Sequence, residues 1–188
     1  MTSEEILQIF RETGALLDGH FVLRSGRHSR QFFQCALALQ EMSVVEKLGA
    51  GLSEHVRDLG ATTVVAPAMG GLVIGQEVAR QLEIRFIFVE KENNTLALRR
   101  GFEIGADEKI LIVEDVVTRG GRVQEAIDIV HKHGGDLQAV AILVDRSNGK
   151  YQPDVPLHSL LKMVVETFDP DHLPEDLRET EGVKPGSN

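Results

Sequence analysis

The sequence predicts an α/β protein: a central, mostly parallel sheet flanked by helices, with a small antiparallel hairpin near the amino terminus. Two segments carry most of this reading. Residues 109–117 form a short, β-branched apolar run with Glu114 and Asp115 near its end. A glycine turn, Thr118-Arg119-Gly120-Gly121, follows, and then Val123, Ile127 and Val130 recur at helical spacing. Residues 62–66 repeat the pattern: a buried run, the turn Pro67-Ala68-Met69-Gly70-Gly71, and a helix carrying Leu72, Ile74, Val78 and Ala79. Third, the 188 residues are 42% hydrophobic and 26% charged, a globular composition with enough chain to bury one core. One domain over residues 1–188 is expected.

The totals also exclude function classes. A formal charge of -9 argues against a nucleic-acid-binding surface. The single Cys35 excludes an internal disulfide framework and a multi-thiolate zinc site. No apolar run reaches membrane-spanning length, and Glu4, Glu5, Glu12 and Asp18 replace the basic start of a signal peptide. A soluble, cytoplasmic protein is expected, with no membrane or nucleic-acid partner.

From the amino terminus, Ser3 before Glu4, Glu5 and the apolar Ile6, Leu7, Ile9 and Phe10 reads as a capped amphipathic helix ending near Gly14. Phe21–Leu23 reads as a short strand, Ser25-Gly26 as a turn, and Phe32-Phe33 as the start of a second strand, with Arg24, Arg27, His28 and Arg30 clustered around the turn. Val44, Val45, Leu48, Leu52 and Val56 define a helix over 43–59 that Gly60 stops, with Gly49 and Gly51 placed for close packing. Residues 85–89 are the next strand. After the Asn93-Asn94 turn signal, residues 95–99 alternate as a polar ribbon, read as a mobile flap too exposed to be fixed by its own domain. Gly134-Gly135 ends the helix that follows the acidic strand. Residues 137–144 form another apolar strand closed by Asp145-Arg146, and residues 157–164 an edge strand. From Glu166 onward there are seven acidic and two basic residues, with a short terminal helix and a frayed end expected. His131 and His133, beside Asp136, sit on a helix end away from the strand ends, where a cationic imidazole complements the helix dipole.

The two strand–turn–helix units carry the chemistry. In an open parallel sheet, ligands bind beyond the carboxyl ends of the strands, and the first turn of the following helix offers unpaired N–H groups to an anion. Gly120 and Gly121 let the backbone approach that anion and Thr118 adds a hydroxyl. Adjacent carboxylates repel phosphate but suit vicinal hydroxyls or a hydrated metal. The combination points to a phosphorylated sugar.

The run of two hydrophobic residues, Glu114-Asp115, two more hydrophobic residues, Thr118, Arg119 and Gly120-Gly121 resembles the 5-phosphoribosyl-1-diphosphate (PRPP) signature of the type I phosphoribosyltransferases. Further windows within roughly residues 14–146 resemble the orotate phosphoribosyltransferase family. That resemblance implies the type I phosphoribosyltransferase fold, with residues 14–40 as a hood and 155–188 as a candidate addition to it. It implies PRPP binding by Ala68, Met69, Gly70 and Gly71 at the diphosphate, by Glu114 and Asp115 at the ribose hydroxyls, and by Val116, Val117, Thr118, Arg119, Gly120, Gly121 and Arg122 around the 5'-phosphate. A strained peptide is implied in the 68–71 loop.

Arg24, Phe32, Phe33, Thr118 and Arg146 are implied at the orotate. A planar guanidinium grips a carboxylate bidentately, and an aromatic face stacks on a flat base. Arg24 stands where lysine is common, which keeps the charge and changes its geometry. In many relatives the catalytic loop is longer and holds several lysines and a histidine. Here the loop offers Lys91, Arg99 and Arg100, and resembles a short-loop, Leu-Arg-Arg-Gly-Phe variety.

The resemblance further implies transfer of the phosphoribosyl group from PRPP to orotate in UMP synthesis. Mg²⁺ would be held mainly by PRPP and water rather than by protein ligands, and the enzyme would be a homodimer whose loop reaches the partner's site. Alternatives are a purine phosphoribosyltransferase, which would not need Arg146, and a PRPP-sensing RNA-binding regulator, which the acidic balance opposes. Arg119 and Arg122 depart from the small hydroxyl residues common at their positions. Arg119 either points outward, the favoured option since the turn has little volume, or adds charge to the 5'-phosphate.

Overall fold

A computed structural model of the chain describes residues 1–23 and 25–185. Helix α1 (Ser3–Glu12) opens on a capping box: the Thr2 hydroxyl accepts from the Glu5 N–H at 3.2 Å, and the Glu5 carboxylate accepts from the Thr2 N–H at 2.7 Å. The cap is therefore Thr2, one residue before the expected Ser3. Strands β1 (Leu16–Val22) and β2 (His28–Phe33) pair antiparallel. Both are longer than the sequence pattern indicates, and Phe32-Phe33 ends β2 rather than starting it.

The main sheet has six strands in the order β5-β4-β3-β6-β7-β8. They are β3 (Thr63–Pro67), β4 (Arg85–Glu92), β5 (Thr95–Leu98), β6 (Lys109–Val117), β7 (Asp136–Asp145) and β8 (Leu157–Lys162), all parallel to their neighbours except β5, which returns antiparallel on β4. A four-residue helix α2 (Ala36–Leu39) precedes the long α3 (Met42–Val56); α4 (Gly71–Leu82) connects β3 to β4, and α5 (Gly121–Lys132) connects β6 to β7. A last short helix, α6 (Glu175–Arg178), lies in the carboxyl-terminal segment.

Alternation along β6 explains the two cores. Leu111 and Val113 join the apolar cluster with α1, α3 and α4, whereas Ile110 and Ile112 join a second cluster with α5 on the opposite face. Gly49 permits close approach of α3 to α4: a methyl there would lie 2.6 Å from Glu77 Cγ. Because α4 leaves β3 toward β4 while β6 lies on the other side of β3, the strand order switches direction between β3 and β6. A crevice therefore opens beyond their carboxyl ends.

The carboxyl-terminal segment packs on the hairpin. His28 and Phe168 exchange backbone hydrogen bonds at 2.9 and 2.8 Å, Arg30 binds Asp176 through two hydrogen bonds of 2.8 and 2.9 Å, and Arg27 donates to the Thr167 carbonyl at 2.8 Å. The basic cluster of the hairpin is thus partly absorbed by the acidic tail.

The 95–99 ribbon departs from the mobile flap expected of it. It is the edge strand β5, with Leu96 buried and its N–H donating to Glu125 on α5 at 2.8 Å. Arg100 is bridged to Glu90 at 2.7 and 2.9 Å, and Arg99 lies 3.3 Å from Glu92. Its polar alternation reflects one face on α5 and one face in water.

Candidate functional site

Three loops meet beyond the carboxyl ends of β3, β6 and β7. The first, Ala68-Met69-Gly70, contains a cis peptide between Ala68 and Met69, and Met69 is exposed. It runs directly into α4, whose N-cap Gly70 supplies no side-chain hydrogen bond and whose first turn holds no acidic residue. The second, Thr118-Arg119-Gly120, runs into α5 in the same way, with Gly120 in the left-handed region at φ 75°. Among the described residues neither helix start has a side-chain cap, and an uncapped first turn suits an anion. The 118–125 segment borders a concavity of about 280 Å³.

Between these helix starts lies the acid pair. Glu114 is only 6% exposed. Burial, reinforced by the neighbouring Asp115 charge, pushes its carboxyl up to about 9, and burial also raises Asp115. Backbone N–H groups offset part of this, since Asp115 N–H donates to Glu114 Oε1 at 3.1 Å and Val116 N–H to Asp115 Oδ1 at 2.7 Å. Both shifts run toward the protonated form, and an arriving hydroxyl donor or cation favours the ionised one. The 68–71 loop is pressed against it: a Cβ at Gly70 would sit 2.6 Å from Asp115 Oδ1, and one at Gly71 would sit 2.7 Å from the Val113 carbonyl. The two glycines are there because the acid strand leaves no room for a side chain.

The third loop begins at Arg146. Its backbone N–H donates to the Val117 carbonyl at 2.8 Å, tying the ends of β6 and β7 together, while Ser147 N–H caps the buried Asp145 carboxylate at 2.8 Å. The Arg146 guanidinium lies 5.8 Å from the centroid of Phe33, and its buried Nε has no hydrogen-bond partner among the described residues. Burial lowers the Arg146 pKa, a sign of a desolvated cation.

Phe32 and Phe33 alternate across β2. Phe33 is buried edge-on against Phe10 at 5.0 Å, and Phe32 tilts against Phe21 at 5.8 Å, so the two rings do not share one face. A concavity of about 490 Å³ lies between the segment after β2 and the first loop, bordered by Gln34, Met69, Gly70 and Asp115. The structure thus gathers 68–71, 114–122, Phe33 and Arg146 at one end of the sheet. Arg24 lies outside the described residues. Lys91, Arg99 and Arg100 lie on the β4–β5 hairpin, where both arginines are engaged by Glu90 or Glu92. Thr118 and Arg119 are exposed, and Arg122 pairs with Glu125 at 3.3 Å. His131 and His133 occupy the far end of α5 from this crevice.

Sequence reasoning missed three neighbours. Cys35 is buried within electrostatic reach of the acid pair, and burial followed by the charges of Asp115 and Glu114 raises its thiol. Its position two residues after the aromatic pair was the available signal. Glu90 ends the apolar part of β4 and engages both ribbon arginines. Tyr151 lies against Gly120 from 31 residues away, a contact that no local pattern announces.

The chain can be set beside known proteins on this geometry. A family described as the phosphoribosyl transferase domain matches residues 38–175. An orotate phosphoribosyltransferase of Desulforamulus reducens is 48% identical over 187 residues, covering 100% of this chain and 98% of that one. Another, of Pelotomaculum thermopropionicum, is 46% identical over 187 residues with the same coverage. Among solved structures, the orotate phosphoribosyltransferase of Aeropyrum pernix superposes with a TM-score of 0.73 at 24% identity, covering 84% of this chain and 93% of that one. An adenine phosphoribosyltransferase of Rhodothermus marinus gives 0.68 at 19% identity, covering 85% and 99%. The structural likenesses speak for the fold, while the near-full-length identities speak for the branch. The chain belongs to the phosphoribosyltransferase family, and within it to the orotate phosphoribosyltransferases.

Proposed function

We propose that the chain transfers the phosphoribosyl group of PRPP to orotate, releasing diphosphate and forming orotidine 5'-phosphate on the route to UMP. The observation that carries this reading is the meeting, at one sheet end, of two uncapped helix starts, a buried acid pair and a desolvated arginine. The names of the full-length relatives favour orotate over a purine as acceptor.

In this reading the α5 start and the 118–122 turn receive the 5'-phosphate, Glu114 and Asp115 accept hydrogen bonds from the ribose hydroxyls, and the 68–71 loop with the α4 start receives the diphosphate. As the bond from C1 to the diphosphate oxygen breaks, C1 gains oxocarbenium character and the orotate ring nitrogen bonds to it, its N–H proton leaving with the diphosphate or to water. Arg146 grips the orotate carboxylate and holds that nitrogen in line, and Phe33 supports the guanidinium from behind. No side chain need act as a covalent nucleophile.

Among the described residues, no group of three or more His, Cys, Asp or Glu is placed to hold a metal. A site with two carboxylates fits magnesium that keeps most of its shell from water and the diphosphate, where it would neutralise the leaving charge. Mg²⁺ carried by PRPP, a homodimer in which Lys91, Arg99 and Arg100 serve the neighbouring site, and a cytoplasmic location complete the proposal. Turnover with PRPP and orotate, set against adenine, hypoxanthine and uracil, tests it. Orotate alone should be consumed, and preference for a purine would overturn the acceptor assignment.

A further inference from the structure

The turn at the start of α5 is covered by a side chain from another loop. Tyr151, between β7 and β8, is the chain's single tyrosine, and its ring is seated on Gly120. A Cβ built at Gly120 would lie 2.0 Å from Tyr151 Cδ2, 2.2 Å from Cε2 and 2.5 Å from Cγ. Gly120 also needs its left-handed φ of 75° to start the helix, so the position is fixed twice, by torsion and by the ring. Thr118 and Arg119 are exposed and the helix start has no side-chain cap, which leaves the ring as the group that backs this turn.

On its other side Tyr151 packs against the apolar cluster shared with α5. Its hydroxyl is buried without a hydrogen-bond partner among the described residues. Burial, with the charges of Asp154 and then Asp128, pushes the phenol up to about 12, so it stays neutral beneath an anion-receiving turn. The loop that carries Tyr151 begins at Arg146, whose N–H holds the Val117 carbonyl, and turns back through the Lys150 N–H bond to the Ser147 carbonyl at 3.1 Å. Only four residues, 147–150, therefore separate the base-facing arginine from the backing of the phosphate turn.

We infer that Tyr151 is a positioning residue for PRPP: its ring holds the 118–121 backbone in the shape that receives the 5'-phosphate and joins that turn mechanically to the Arg146 loop. This rests on the orotate-transfer reading. A ring acts here through its shape, so the hydroxyl is dispensable and the aromatic volume is not.

Three measurements test it. In steady-state kinetics, Tyr151→Phe should match the parent, whereas Tyr151→Ala should raise KM for PRPP by about tenfold or more, with much smaller changes in kcat and in KM for orotate. A merely structural role would lower kcat and raise both KM values together, or lower only the yield of folded protein. If Tyr151→Ala does not fold, Tyr151→Leu takes its place. Independently of any variant, 3-fluorotyrosine incorporated into the chain gives one ¹⁹F resonance, because there is one tyrosine. Ribose 5-phosphate should shift that resonance and ribose should not. A PRPP KM in the truncated variant within about twofold of the parent, or a resonance unmoved by saturating ribose 5-phosphate, overturns the inference. If the parent protein fails to use orotate while the resonance still responds to ribose 5-phosphate, the acceptor assignment fails and the placement of Tyr151 stands.

Discussion

Replacing Glu114 by Gln should stabilise the fold at neutral and alkaline pH while weakening PRPP binding. The carboxyl is raised from 4.5 to about 9, first by burial and then by Asp115, so between those values the native state holds a proton that the unfolded chain has lost. With more protons bound in the native state, stability falls as pH rises through this window and is least affected below pH 4.5. At pH 7 the distance from the ordinary value is roughly 2.5 pH units, and at about 1.4 kcal/mol per unit the cost is on the order of 3 kcal/mol. Glutamine mimics the protonated acid in shape and charge and avoids this cost. Urea unfolding of parent and variant between pH 5 and pH 8 should show the variant gaining on the parent as pH rises. Binding runs the other way, since ribose hydroxyls donate to the ionised form. PRPP affinity of the parent should therefore improve with pH, with proton release seen as a buffer-dependent heat in titration calorimetry. A stability difference that is flat with pH, or that shrinks as pH rises, would refute the buried-acid argument.

Asp115→Asn should keep the fold but weaken PRPP use by roughly 1.5–3 kcal/mol, the worth of a charge-assisted contact; near-parent turnover at limiting PRPP would sink the ribose assignment. Arg146→Ala should raise the orotate KM far more than the PRPP KM, because its guanidinium is desolvated and, among the described residues, its Nε has no partner; equal losses for both substrates would mean that it supports the site generally. For the proposed shared site, Arg99→Ala/Arg100→Ala chains mixed with Asp115→Asn chains should regain activity, since one site of each mixed dimer is then intact. Absence of recovery despite verified subunit exchange would return the hairpin to its own subunit.

The parts of the fold legible in the sequence were those set by local period. Residues 109–132 and 62–82 each compress strand, turn and helix into a short window, and β6, α5, β3 and α4 lie where that pattern puts them. The hairpin was read too short because its strand ends are fixed from outside. His28 pairs with Phe168 and Val22 with Val183, more than a hundred residues away. The 95–99 ribbon differs from its sequence pattern for a related reason. Its polarity faces water on one side only, and the partner of its buried side, Glu125 and the helix carrying it, comes later in the chain. Gly120 is legible as a turn glycine from its place between an apolar strand and a helical period, but the ring that makes it obligatory is not, because Tyr151 arrives through the loop after the following strand.

Several features that cost stability gather at one sheet end. Helices α4 and α5 begin on glycines that offer no side-chain cap, a carboxyl pair is buried with a raised pKa, and, among the described residues, an arginine Nε is buried without a partner. Each departs from the local rules that α1 obeys, with its complete capping box. Their signs differ in a way that one ligand can satisfy: helix starts want anions, the acid pair wants hydroxyl donors, and the guanidinium wants a carboxylate. A molecule with phosphates at both ends of a diol answers the first two, and a flat acid answers the third. No exchange among the protein's own groups could do the same, because Glu114 and Asp115 cannot cap α4 or α5 without leaving the strand that buries them. The site is therefore held open by the rigidity of β6, which keeps complementary groups close to one another and unable to neutralise one another, and substrate binding is what completes them.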